Sequence, residues 1–264
     1  MKGKVRKAGV IGAGVMGATI AAQLANVGIE TILLDIIPPD MSEADRKKGL
    51  TKESREFRNR LARKGLETAL QARPPSFYVP ENRELITMGN LEDDMGQLKK
   101  ADLVIEAVVE RLDIKRALFE RLEEILNPGT IIVSNTSGIS AKAMCEGRSR
   151  NFREHFAIAH FFNPPRYMKL LEIVPCPDTL PEVIETLTET CERDLGKGVV
   201  HGKDTPNFVA NRIGVFIIFN AARVMTDLGL TIEAVDALTG PVIGSSKSAL
   251  FRTVDLVGLD TLLH

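Results

Sequence analysis

No run in this chain of 264 residues approaches the ~20 consecutive apolar residues that a helix needs to cross a bilayer. The nearest, Val215 to Phe219, is bracketed by Asn211, Arg212, Asn220 and Arg223, so membrane insertion is not expected. Charge of one sign is also missing. A formal net charge of -1 gives no overall pull towards nucleic acid or a membrane surface. Cysteine is scarce: Cys145, Cys176 and Cys191 are odd in number, far apart and in no metal-ligand spacing, which suits three reduced thiols of a cytoplasmic protein and no metal site. Repeats and low-complexity segments are absent, and 44% hydrophobic residues are enough for one large core or two smaller ones.

Glycine is concentrated near the amino terminus, in KAGVIGAGVMGATIAAQLANVGIETILLD from Lys7 to Asp35. Lys2, Lys4, Arg6 and Lys7 precede the apolar run as a basic region precedes the core of an export signal. Gly9, Gly12, Gly14 and Gly17 would weaken such a helix, and export needs no terminal carboxylate. A dinucleotide site accounts for more. Ala8 to Ile11 reads as a short buried strand, and Gly12, Gly14 and Gly17 follow as G-x-G-x-x-G. The first glycine makes the turn, the second lets a pyrophosphate approach the backbone, and the third lets helix meet strand. A helix over Val15 to Val27 would present its N-terminal amides to the phosphates. Glu30 to Leu34 is then a second strand, and Asp35 stands at its end, where a carboxylate accepts from a ribose 2′-hydroxyl and repels a 2′-phosphate. No basic residue lies between Asp35 and Arg46, so NAD is expected over NADP.

Further along, Pro38 and Pro39 break the pattern, and a charged helical hairpin is predicted from about Ser42 to Ala72. Arg46 to Arg73 carries ten Lys and Arg against three Glu, either a solvated face or a surface for a polyphosphate ligand. Phe57 is the one aromatic in the segment, so there is no interleaved series for stacking on nucleic acid. Parallel-sheet character resumes at Leu103 to Val108, interrupted by Glu106 alone, with Glu110 just beyond. A helix over Asp113 to Leu126 and a strand over Thr130 to Val133 lead into the polar cluster Ser134 to Gly138. At the carboxyl end of a parallel strand such a cluster marks a ligand edge. Two more strands are predicted, Phe156 to Phe162 and Lys169 to Val174, followed by a helix over Glu182 to Leu195 and an extended run over Lys197 to His201. Near Lys203 the composition changes. Asp204 or Thr205 could cap a long helix, Asn207 to Leu228, that is apolar on nearly every face. The expected organisation is a domain over 1–203 with a basic insertion at about 42–73, and the start of a helical domain over 204–264.

His160 sits among Ala157, Ile158, Phe161 and Phe162, where a satisfied core histidine is the simpler reading. Glu172 stands in the apolar run KLLEIV, and a buried carboxylate without a partner is costly. The two would satisfy each other, one ring nitrogen held by the carboxylate and the other open to a substrate proton. Ser137 and Asn211 are either ordinary turn and helix-start residues or donors to a substrate oxygen.

GAGVMG, VVE at Val108 to Glu110, SNTSGIS from Ser134, HFFNPPRYMKLLEIVP from His160 and KDTPNFVANR from Lys203 together resemble the L-3-hydroxyacyl-CoA dehydrogenase family over nearly the whole chain. The resemblance implies a doubly wound, mostly parallel α/β sheet (Rossmann) followed by a smaller all-helical domain, with the site in the cleft between them. It also implies oxidation of 3-hydroxyacyl-CoA to 3-ketoacyl-CoA with NAD in fatty-acid β-oxidation, a step of lipid metabolism. By motif match His160 is the general base, Glu172 orients it, and Ser137 and Asn211 hold the substrate oxygen. Asp35, Glu110, Lys115, Ser137 and Asn163 fall on positions that contact NAD. The substrate partner is an acyl-CoA, and a homodimer through the helical domain is expected. Gly258, Leu259, Asp260 and Thr261 match a motif well inside that domain, so the helical part looks incomplete. The chain resembles the dehydrogenase portion of a longer multifunctional protein with an enoyl-CoA hydratase portion. Alternatives are another β-hydroxyacid dehydrogenase using a catalytic lysine, and a non-catalytic NAD-binding sensor or structural protein.

Overall fold

The computed structural model describes residues 4–258, so Lys2, Leu259, Asp260 and Thr261 lie outside the described residues. Eight strands form one sheet: β1 (Lys7–Ile11), β2 (Glu30–Asp35), β3 (Ile86–Asn90), β4 (Leu103–Glu106), β5 (Ile131–Ser134), β6 (Phe156–Phe161), β7 (Leu170–Pro175) and β8 (Gly198–His201). Their order is β3-β2-β1-β4-β5-β6-β7-β8, and every neighbouring pair is parallel except β6 with β7. The chain thus winds outward from β1 in one direction and then in the other, leaving its switch point between β1 and β4. Val10, Ile11, Val104, Ile105 and Val133 are all 1% exposed or less, as parallel strands covered on both faces require. Burial of each such side chain is worth roughly 1.5–3 kcal/mol before entropy is counted.

Helix Val15–Asn26 follows β1 and helix Leu112–Ile125 follows β4, within two residues of the predicted bounds. The edge strand β3 has no counterpart in the sequence reading. The basic stretch also differs from its prediction: three helices, Glu43–Lys47, Arg55–Arg58 and Arg60–Gln71, replace the hairpin, with a break at Gly49 (φ +70°). The thiols need a second correction. Cys145, ending helix Ala141–Cys145, and Cys176, just beyond β7, are joined in a disulfide. Their separation of 31 residues disappears because that helix lies against β6, the neighbour of β7. Cys191 is free and buried, and desolvation pushes its thiol up to about 12.

Two compact units divide the chain, Met1–Pro206 and Asn207–His264. The second contains helices Ala210–Asp227, Ile232–Thr239 and Phe251–Val257. Its long helix starts later than predicted because Asn207 and Phe208 have positive φ, 63° and 46°. Neither Asp204 nor Thr205 caps it; Val209 occupies the cap position and supplies no side-chain hydrogen bond. No helix among the described residues is long and apolar enough to cross a membrane.

Candidate active site and cofactor cradle

Gly12 leaves β1 at φ +96°, and a Cβ there would stand 2.5 Å from the carbonyl oxygen of Ala107, in the turn after β4. The first glycine of the motif therefore lets the two chain segments at the switch point approach each other. A Cβ at Gly17 would strike the carbonyl of Gly12, so the third glycine lets helix Val15–Asn26 lie against the turn. At Gly14 a Cβ would meet nothing within 4 Å, and no side chain caps the helix that begins there. Open space over uncapped helix amides fits an anion such as a pyrophosphate. Asp35 closes β2 beside it, accepting from the amides of Ala13 and Ile36 at 2.7 Å each. Two bonds leave acceptor capacity on the carboxylate. Gly14, Asp35 and Asn163 line one cavity of about 540 Å³. Lys64 and Arg73 line it too, so the fold brings to Asp35 basic groups that sequence proximity does not. The residues present fit a dinucleotide.

The rest of the basic surplus is partly consumed. Arg55 pairs with Asp94 at 3.2 Å, Arg58 with Asp93 at 2.6 Å and Arg60 with Asp45. Those acids lie outside Arg46 to Arg73, which is why counting within the segment overstated its free charge.

On the other arm of the sheet, antiparallel pairing of β6 with β7 sets His160 directly opposite Glu172. The side chains meet at 2.8 Å, Nδ1 to Oε2, with His160 4% and Glu172 0% exposed. An ionised carboxylate only accepts, so Nδ1 carries the proton, and in a neutral ring Nε2 then keeps a lone pair. Ser137 Oγ lies 3.1 Å from Nε2. The turn bearing Ser137 is held from two sides. Asn135 Oδ1 accepts from the amide of Phe161 at 2.9 Å. Glu110 accepts from the amides of Ser137 and Gly138 at 3.0 and 3.1 Å and from the hydroxyl of Thr136. Partial burial works against ionisation of Glu110, but the Thr136 hydroxyl, the Lys115 charge and the two amides together hold its carboxyl below the usual range.

Lys115 is buried, its ammonium 2.7 and 2.9 Å from the oxygens of Glu106 and 3.3 Å from Glu110. Glu106 also accepts from Ser134 Oγ at 2.5 Å and from the amide of Val108 at 2.7 Å. The structure thus brings together His160, Glu172, Ser137, Glu110 and Lys115 in one connected set, and Gly14, Asp35 and Asn163 in the cavity. Asn211 stands on helix Ala210–Asp227 of the second unit.

Glu106, Asn135 and Asp204 were not among the residues predicted for the site. Glu106 had a usable signal: it is the lone acid in an apolar strand, the feature that singled out Glu172. Asp204, by contrast, accepts from Ser140 Oγ at 2.7 Å and from the amides of Ala141 and Lys142 at 2.9 Å each, across more than 60 residues that no local pattern spans.

Residues 7–205 match the family described as 3-hydroxyacyl-CoA dehydrogenase, NAD binding domain. The chain is 51% identical over 260 residues to a probable 3-hydroxyacyl-CoA dehydrogenase of Bacillus subtilis, covering 98% of this chain and 33% of that protein. It is 50% identical over 261 residues to a probable 3-hydroxyacyl-CoA dehydrogenase of Deinococcus radiodurans, covering 99% and 71%. Among solved structures, 3-hydroxybutyryl-CoA dehydrogenase from Escherichia coli superimposes with a TM-score of 0.76 at 31% identity, over 98% of this chain and 51% of that one. The chain therefore spans about a third of the length of one curated relative and 71% of another.

Proposed function

Because the chain belongs to the 3-hydroxyacyl-CoA dehydrogenase family, we propose that it oxidises a 3-hydroxyacyl-CoA to the 3-ketoacyl-CoA as part of fatty-acid β-oxidation, with His160 as general base. The observation that carries this reading is the alignment Glu172, His160, Ser137, at 2.8 and 3.1 Å.

NAD, when bound, supplies the acceptor for the hydride that leaves C3 of the substrate. Nε2 of His160 takes the hydroxyl proton as the C–O bond becomes a carbonyl. Glu172 holds the ring and stabilises the imidazolium. Ser137 donates to the substrate oxygen, aligning it with Nε2. Asn211 is a second donor to that oxygen in this scheme. Asp35 receives the adenosine ribose, Asn163 lines the same cavity, and the amides at Gly14 receive the pyrophosphate. The acyl-CoA is the substrate partner, the assembly a homodimer through the helical unit, and the reaction cytoplasmic.

The experiment is NADH formation with short and long 3-hydroxyacyl-CoA substrates, on the unaltered chain and on His160→Ala. General-base loss lowers turnover by roughly 10²–10⁴-fold while NAD affinity is kept, and Glu172→Gln follows in the same direction. A decrease below about tenfold at saturating substrate would return His160 to the role of a core histidine.

A further inference from the structure

Glu106 takes no part in the scheme above, yet it is completely buried and makes four polar contacts, two of them to Lys115. Lys115 in turn stands between two carboxylates, Glu106 in β4 and Glu110 in the turn that follows it. The three side chains carry one net negative charge. Glu106 cancels the ammonium at close range, and the surplus resides on Glu110, whose side chain is 45% exposed. Glu110 bonds the amide of Ser137, whose hydroxyl meets Nε2 of His160. A hydride acceptor would lie next to the carbon whose hydroxyl His160 deprotonates, so this surplus charge would stand near the nicotinamide end of a bound cofactor. That ring is cationic when oxidised and neutral when reduced.

We propose that Glu106 is a positioning residue for the cofactor's redox state: by neutralising Lys115 it leaves Glu110 uncompensated, and the site thereby holds NAD more tightly, relative to NADH, than it otherwise would. The inference rests on the function proposed above. Removing the charge of Glu106 frees Lys115 to cancel Glu110, and the preference for the cationic ring falls. Removing the charge of Lys115 leaves two negative groups, and the preference rises.

The test is a pair of dissociation constants, for NAD and NADH, measured by calorimetry on the unaltered chain and on Glu106→Gln, Lys115→Met and the double variant. Glu106→Gln should shift the affinity ratio about tenfold towards NADH, as one unit charge within several ångströms in a partly screened site implies. Lys115→Met should shift it the opposite way, and the double variant, with the original net charge, should return near the starting ratio. A purely structural role would weaken both cofactors together and move both single variants in the same direction, which would overturn the proposal. If Glu106→Gln does not fold, the sign of Lys115→Met and the recovery in the double variant decide it. Failure of the unaltered chain to bind either cofactor would instead remove the proposed function, and this inference with it.

Discussion

In the proposed function Asp35 joins local geometry to ligand choice. Its carboxylate already fixes the glycine turn through the amides of Ala13 and Ile36, and it lines the same cavity as Lys64 and Arg73. Asp35→Ala should therefore do two things. NAD affinity should fall about tenfold or more, the scale of a lost hydrogen bond to a charged group. NADP should gain relative to NAD, because the acid that repels its 2′-phosphate is gone while the two cations stay. Titration of both cofactors on the variant checks this; an unchanged ratio would leave Asp35 as a turn residue only. His160 and Glu172 show how far single residues could be read in advance. The cost of burying a lone carboxylate pointed to a partner, and two strands of the right length offered one. The same reasoning applies to Glu106 with equal force, and its partner Lys115 lay nine residues ahead, in the first turn of helix Leu112–Ile125.

Between elements, the segment from Lys203 to Pro206 behaves differently from its local pattern. Asp204 precedes a proline and an apolar helix, the usual setting of an N-cap. Its carboxylate instead accepts three donors at the start of helix Ala141–Cys145, just after the turn that carries Ser137. Asp204→Ala should cost about 1–2 kcal/mol of stability, the range for loss of a helix cap. Denaturant unfolding of the variant measures it. A change below about 0.5 kcal/mol would mean that Ser140, which already accepts from the amide of Ala143, caps the helix sufficiently alone. The basic insertion makes a related point. Its charges are legible in the sequence, but the acids that neutralise Arg55, Arg58 and Arg60 are supplied by segments on either side.

In the second unit, helix Ala210–Asp227 has no buried residue, and Ile213, Phe216, Ile217 and Phe219 are 56, 69, 49 and 55% exposed. Large apolar side chains grouped on one helix mark an association surface. The chain should self-associate at micromolar concentration, and Phe216→Glu with Phe219→Glu should shift it to monomer without unfolding the sheet. Sedimentation and circular dichroism on both proteins check this; a monomeric unaltered chain would remove the proposed homodimer.

The strands β1, β2, β4, β5, β6 and β7, the glycine turn and the acid that closes β2 follow from local pattern. Apolar runs that must be buried on both faces, glycines at a fixed spacing and an acid at a strand end are properties of neighbouring residues. Strand β3, the breaks in the basic segment, the disulfide and the target of Asp204 do not. Each depends on which distant segment is adjacent after the sheet is assembled. Pairing of β6 with β7 could be expected, but its register could not, and a slip of one residue would turn His160 and Glu172 to opposite faces. Tertiary packing decided that register, and with it whether two residues compatible with a core became a hydrogen-bonded pair.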